Sequence, residues 1–242
     1  MTEQQKTGVG QVQVELPEYY NFAAQVEQYA QAHPDKAALV VVDEELAALT
    51  VSYGQLAAYS NRIANALRSL GIGRGDKVVV LVPRGREAYA IYLALLKLGA
   101  VVMPGSEMLR SKDIEYRINH AGAKAVLAFS GVLGEVDAIR AVCPSLEHAV
   151  AVGVIREGWL SLEQLIENAS EHFEPVQTRS DELAFLSYTS GTTGGPKGVM
   201  HVHGWPLAHL AVASTHWLDV REDDLVWATA GPGWAKWVWS PF

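Results

Sequence analysis

Residues 188–203 read YTSGTTGGPKGVMHVH. Glycines at 191, 194, 195 and 198 let the backbone turn sharply and lie close to a ligand. Successive N–H groups in such turns can form a concave nest for an anion. Thr189, Ser190, Thr192 and Thr193 add hydroxyls that rotate to suit oxygen acceptors. Lys197 adds one compact positive charge. The set suits a polyphosphate better than a planar carboxylate, which a forked arginine would grip better. It is not a Walker A loop, G-x-x-x-x-G-K-[ST]. Pro196 precedes the lysine and Gly198 follows it, so that motif's magnesium-binding hydroxyl has no counterpart. The β-like VMHVH also stands where that motif would begin a helix. A surface loop without any ligand could share this composition, and composition alone does not separate the two readings.

Other residues could do chemistry. His201 and His203 form H-x-H, with His209 and His216 nearby. No third ligand has a fixed place beside them, so no metal site is expected. His203 admits two readings: a group near the ligand, or a strand residue with a backbone hydrogen bond. Trp227, Trp234, Trp237 and Trp239 could wall an apolar pocket. Core packing accounts for most of them, and only Trp234 is assigned to a pocket. Arg84 and Arg86 precede a helix, where basic charge opposes the dipole. They read as solvated loop residues rather than phosphate contacts. Cys143 is the single cysteine, which excludes an internal disulfide and suits a buried free thiol in a reducing compartment.

The elements that must position these residues alternate. Ser52 to Gly71 is the clearest helix, with Ser52 and Gln55 as a capping box and Leu56, Ile63, Leu67 and Leu70 on one face. Lys77–Val82 is a continuous apolar run, as in a strand covered on both faces. Helices are predicted over Glu87–Leu98, Ser111–Ala121 and Ser161–Ala169, and strands over Ala100–Met103, Ala125–Phe129 and His148–Val152. Residues 170–182 are polar and read as a linker. Leu183–Tyr188 is a strand that feeds the glycine-rich loop, which is expected to be poorly ordered without ligand, and Val199–His203 is the strand that leaves it. Pro206 suits the first turn of a helix that places Leu207, Leu210, Ala211, Ser214 and Trp217 on one face. Leu225–Ala228 reads as a further strand. This rhythm predicts an α/β fold, a mostly parallel sheet flanked by helices on both faces.

The chain has 242 residues, 49% hydrophobic and 19% charged, an ordinary globular mix. A net charge of −8 argues against a general nucleic-acid or membrane-surface binder. No apolar run is long enough for a membrane span. The N-terminus lacks a basic start followed by an apolar stretch, so a cytoplasmic location is expected.

YTSGTTGGPKG resembles the signature loop of the adenylate-forming (AMP-binding) enzymes, which include acyl-CoA synthetases, peptide-synthetase adenylation domains and luciferases. VSYGQLAAYSNRIANALRSLGIGRGDKVVVLV (51–82) and LLKLGAVVMP (95–104) are similar to other segments of that superfamily, so the resemblance covers about residues 25–242. DDLVWATAGPGWAKW (223–237) is similar to short- and medium-chain acyl-CoA synthetases. Those tend to carry T-A-D-x-G-W; here Gly231 stands where Asp is usual, and Trp234 keeps the tryptophan.

The resemblance implies an ATP-dependent, AMP-forming reaction between a small-molecule carboxylate and coenzyme A, with Mg2+ on the phosphates. It implies that Thr189, Ser190, Gly191, Thr192, Thr193, Gly194, Gly195, Pro196, Lys197 and Gly198 hold ATP, with Lys197 catalytic, and that His203 and Trp234 lie near the substrate. In the superfamily the acidic magnesium ligand, the ribose-binding carboxylate and the lysine of the small C-terminal domain come later in the chain. Residues 1–24 are therefore expected to be a lead-in, and 25–242 an incomplete large domain without the small C-terminal one. The segment alone is expected to be inactive and to self-associate as a homo-oligomer. Two alternatives are an amino-acid adenylation domain that loads a carrier protein, and a nucleotide-binding truncation product without chemistry.

Overall fold

The computed structural model describes residues 14–43, 45–189, 195–227, 229–234 and 237. The chain opens with α1 (Phe22–Ala32), the hairpin β1 (Ala37–Val42) and β2 (Ala48–Ser52), and α2 (Tyr53–Ser69). Asn21 caps α1, accepting from the N–H of Ala23 at 3.0 Å while its amide donates to the carbonyl of Leu96 at 2.8 Å. The capping box of α2 is complete: Ser52 Oγ accepts from Gln55 N at 3.2 Å, and Gln55 Oε1 accepts from Ser52 N at 2.9 Å.

The alternating elements follow: β3 (Lys77–Leu81), α3 (Arg86–Lys97), β4 (Val101–Pro104), α4 (Ser111–Ala121), β5 (Ala125–Phe129), α5 (Leu133–Asp137), β6 (His148–Val152), β7 (Leu160–Ser161), α6 (Leu162–Ile166), β8 (Leu183–Thr189), β9 (Lys197–Val202) and α7 (Trp205–His209). Seven strands pair in the order β7-β6-β5-β3-β4-β8-β9. All pairings are parallel except β8 with β9. Buried residues alternate between faces, as a strand's period of two requires. Val78, Val80, Val102 and Leu127 pack with α2 and α3, and Val79, Leu81, Met103 and Val126 pack with Ile114 and Ile118 of α4.

The chain goes from β3 to β4 by α3 on one face. It then crosses by α4 on the other face and returns to the far side of β3 as β5. The loops after β3 and β4 thus leave toward opposite faces. Such a switch point opens a crevice at the carboxyl ends of parallel strands, where ligands of α/β sheets bind.

One charge lies inside this frame. Lys97 is fully buried, and its ammonium donates to Glu27 at 2.7 Å, Ser60 Oγ at 2.8 Å and Asn61 Oδ1 at 2.5 Å. Burial pushes its pKa down, with Glu27 opposing.

The structure departs from sequence expectation in several places. The hairpin β1–β2 forms its own two-stranded sheet, and its apolar Val42 and Leu49 remain exposed. Part of the expected lead-in is pinned to the 170–182 segment. Tyr20 N donates to Thr178 O at 3.0 Å, and Thr178 Oγ1 donates to Tyr20 O at 2.7 Å. That segment is no solvated linker, because Phe173 and Thr178 are buried. β9 starts at Lys197 rather than at Val199. Pro206 does sit in the first turn of α7, but the helix then widens into a π-helix over Leu210–Trp217, and Trp217 is exposed. Leu225, Val226 and Trp227 form no strand and are exposed.

Candidate functional site

The glycine-rich stretch joins β8 to β9. Ser190, Gly191, Thr192, Thr193 and Gly194 lie outside the described residues, and with them the expectation of loop disorder. The two limbs are described. Thr189 ends β8, Lys197 opens β9, and the two face each other as antiparallel partners. Both are exposed. Gly195 and Pro196 lead into Lys197, and Gly198 pairs with Tyr188. β8 runs parallel to β4, so both limbs sit at the carboxyl end of the parallel strands.

A cavity of ≈ 210 Å³ opens at the switch point. Val82 and Arg84 line it from the β3 side, Ser106, Glu107 and Met108 from the β4 side, and the Gly231–Trp234 turn closes it. That turn is tethered from within. The hydroxyl of buried Tyr92 donates to Pro232 O at 3.1 Å. Arg84 donates to the carbonyls of Thr229 at 2.7 Å and Ala230 at 3.0 Å. Gly233 lies against the β4 loop so closely that a Cβ there would stand 2.1 Å from Ser106 N. A Cβ on Gly231 would meet open space. Trp234 is 60% exposed and forms part of the cavity wall.

The other flagged residues sort by position. Trp237 is core, fully buried against the rings of Tyr89 and Tyr92. Trp227 is exposed, and Trp239 lies outside the described residues. Arg84 is no free loop cation but a tether. Arg86 pairs with Glu87 at 2.9 Å and stacks over Tyr59 at 4.6 Å.

The structure does not bring His203 to the loop. β9 pairs Lys197 with Thr189 at one end and Val202 with Leu183 at the other. Lys197 and Val202 are thus about 17 Å apart along the strand. His203 follows at the amino-terminal edge of β8. Its N–H donates to Glu182 O at 2.8 Å, the ring is buried, and Nε2 has no hydrogen-bond partner. Burial pushes its pKa down to about 4, against the nearby carboxylate of Glu182. Glu182, bonded to Arg74, is held down at about 2. His201 is partly buried, and burial lowers its pKa as well. Among the described residues no group of three His, Cys, Asp or Glu side chains could hold a metal ion.

Sequence reasoning missed three contributors. Tyr92 and Arg84 tether the cavity wall. Tyr116 of α4 donates to Pro196 O at 3.1 Å, beside the loop. The tethers span 140 residues or more, and no local pattern announces them.

Known proteins share this arrangement. The profile of the family described as AMP-binding enzyme matches residues 26–239. The uncharacterized acyl--CoA ligase YtcI of Bacillus subtilis is 46% identical over 93% of this chain and 42% of its own length. The human mitochondrial acyl-coenzyme A synthetase ACSM3 is 33% identical over 93% of this chain and 40% of its own. Among solved structures, an acyl-CoA synthetase of Brucella canis superposes with a TM-score of 0.81 at 26% identity, covering 91% of this chain and 40% of that one. The anthranilate CoA ligase AuaEII, solved with anthranoyl-AMP, gives 0.74 at 30% identity, over 80% and 37%. The chain spans about 40% of the length of the curated relatives it matches. With the profile covering nearly the whole chain, and the loop and the switch-point cavity at one end of the sheet, the chain belongs to the AMP-binding enzyme family.

Proposed function

We propose that residues 1–242 carry the phosphate-gripping part of an ATP-dependent, AMP-forming acyl-CoA synthetase. The observation that carries this reading is the placement of the Thr189–Lys197 loop limbs and the Trp234 cavity at the same carboxyl edge of the sheet. A nucleotide's phosphates and an apolar acyl group can then meet between them. That one solved relative holds an acyl-adenylate, anthranoyl-AMP, supports the same order of events.

In the proposed reaction a carboxylate oxygen attacks the α-phosphorus of ATP, the bond to the β-phosphate oxygen breaks, and pyrophosphate leaves. The thiol of coenzyme A then loses its proton and attacks the acyl carbonyl, and AMP departs with the carboxylate's oxygen. This chain's share is electrostatic. Loop N–H groups, hydroxyls and Lys197 stabilise the charge that grows on leaving pyrophosphate, in a site where positioning matters more than covalent help. By the length of its relatives, the rest of the machinery lies outside residues 1–242, and the segment alone turns over no substrate.

The test is carboxylate-dependent exchange of labelled pyrophosphate into ATP by the enzyme that contains this segment. Lys197→Ala should slow exchange by about a hundredfold, the loss that follows removal of one donor to a developing charge. Undiminished exchange in the folded variant would remove Lys197 from the site.

A further inference from the structure

We propose that α4 is the support of the phosphate-gripping loop, with Tyr116, Arg117 and His120 as positioning residues that hold both of its limbs. The inference rests on the function proposed above and adds residues that neither the loop motif nor the family match singles out.

The trailing limb is held by Tyr116. Its hydroxyl donates to Pro196 O at 3.1 Å, one residue before Lys197. Its ring lies under Gly195, where an added Cβ would stand 3.1 Å from Cζ. The glycine is thus set by close approach to a side chain as well as by the turn. The leading limb is held at Tyr188. His120 Nδ1 and the Tyr188 hydroxyl are 2.8 Å apart, and the Arg117 guanidinium lies 5.5 Å from the centre of the Tyr188 ring. Tyr116 stacks on His120 at 5.3 Å and meets Tyr188 edge-on at 6.2 Å, so the two supports are one cluster.

Positions 116, 117 and 120 share one side of a helix. Ile114 and Ile118 are buried in the core below them. The first turn of α4 is fixed in its turn: Ser111 N donates to Glu135 of α5 at 2.8 Å, and Arg110 reaches the same carboxylate at 3.2 Å. The supports therefore stand on a helix tied to the sheet and to α5. Binding a ligand between the limbs costs whatever backbone freedom they still have. Limbs held in place beforehand reduce that loss, so the cluster should strengthen the grip on ATP and leave the carboxylate site alone.

The test uses Tyr116→Phe, which keeps the ring under Gly195 and removes only the hydroxyl. In the 242-residue chain, hydrogen exchange of the amides of Gly195, Lys197 and Gly198 should quicken about fivefold, the effect of one lost neutral hydrogen bond. Exchange in β3 and β5 should stay as it was. In the enzyme that contains this segment, KM for ATP should rise by a similar factor with KM for the carboxylate unchanged. A role in packing alone would lower the active fraction and move neither KM. Unaltered exchange at 195–198, or equal rises in both KM values, would overturn the proposal. If the wild-type enzyme shows no carboxylate-dependent exchange of pyrophosphate, the proposed function fails, and the amide measurement still decides whether Tyr116 holds the limb.

Discussion

His203 should set the acid stability of this fold. Its ring is 2% exposed, its Nε2 has no partner, and burial holds its pKa near 4 instead of 6.5. The folded state thus binds this proton more weakly than the unfolded chain does. A group depressed in this way contributes stability that is complete above pH 6.5 and is lost as pH falls toward 4. With those two values, the loss between pH 7.5 and 4.5 comes to about 2.5 kcal/mol. The perturbation is His203→Phe, a ring of similar shape that cannot titrate. Urea unfolding of both proteins at pH 7.5, 5.5 and 4.5 gives the difference directly. Arg74 and Glu182 are present in both, so their titration largely cancels. The wild type should lose about 2.5 kcal/mol more than the variant across that range. Parallel stability curves would refute the reasoning. The same variant should keep its pyrophosphate exchange, because His203 lies at the far end of the hairpin from Lys197.

Other consequences follow from the packing. Glu27→Gln leaves the buried Lys97 ammonium without its charge partner and should cost about 3 kcal/mol in urea unfolding, whereas Glu27→Leu with Lys97→Met should cost less; equal losses would contradict the account. Gly233→Ala forces the cavity turn off the Ser106 backbone and should cost about 2 kcal/mol, while Gly231→Ala, facing open space, should stay within about 0.5 kcal/mol. Similar unfolding midpoints for the two would show that the turn can move away from the Ser106 backbone at little cost. Trp217, Leu225 and Trp227 are each more than three-quarters exposed, so the chain should self-associate as concentration rises, read by light scattering. A monomer throughout would speak against that surface being sticky.

Much of the fold was legible because its signals are local. The Ser52–Gln55 box, the left-handed Gly122 at the end of α4, and the apolar runs of β5 and β6 each lie within a few residues of what they determine. The hairpin β1–β2 was not legible, because it forms a separate two-stranded sheet that leaves Val40, Val42 and Leu49 exposed and buries only Val51 in the core. The π-helix after Pro206 keeps apolar spacing while changing its turn, so a period of 3.6 misplaces Trp217. At the site, residue type and spacing marked the glycine-rich stretch and Trp234 as candidates, and the structure puts Trp234 in the wall of the switch-point cavity. The place of His203 was not legible: a strand of five or six residues looks alike at both ends, and only the pairing of Lys197 with Thr189 shows which end adjoins the glycine-rich stretch. Arg84 looked like a loop cation because its carbonyl partners lie 145 and 146 residues away.

The central claim is that a carboxylate attacks the α-phosphorus of ATP at this site. The most direct measurement is oxygen transfer. The enzyme that contains this segment is given ATP, coenzyme A and a short or medium carboxylate labelled with 18O in both oxygens, and the AMP is weighed by mass spectrometry. The account predicts one 18O in each AMP, and loss of that labelled product in Lys197→Ala. Product nucleotide without label, or ADP in place of AMP, would contradict it.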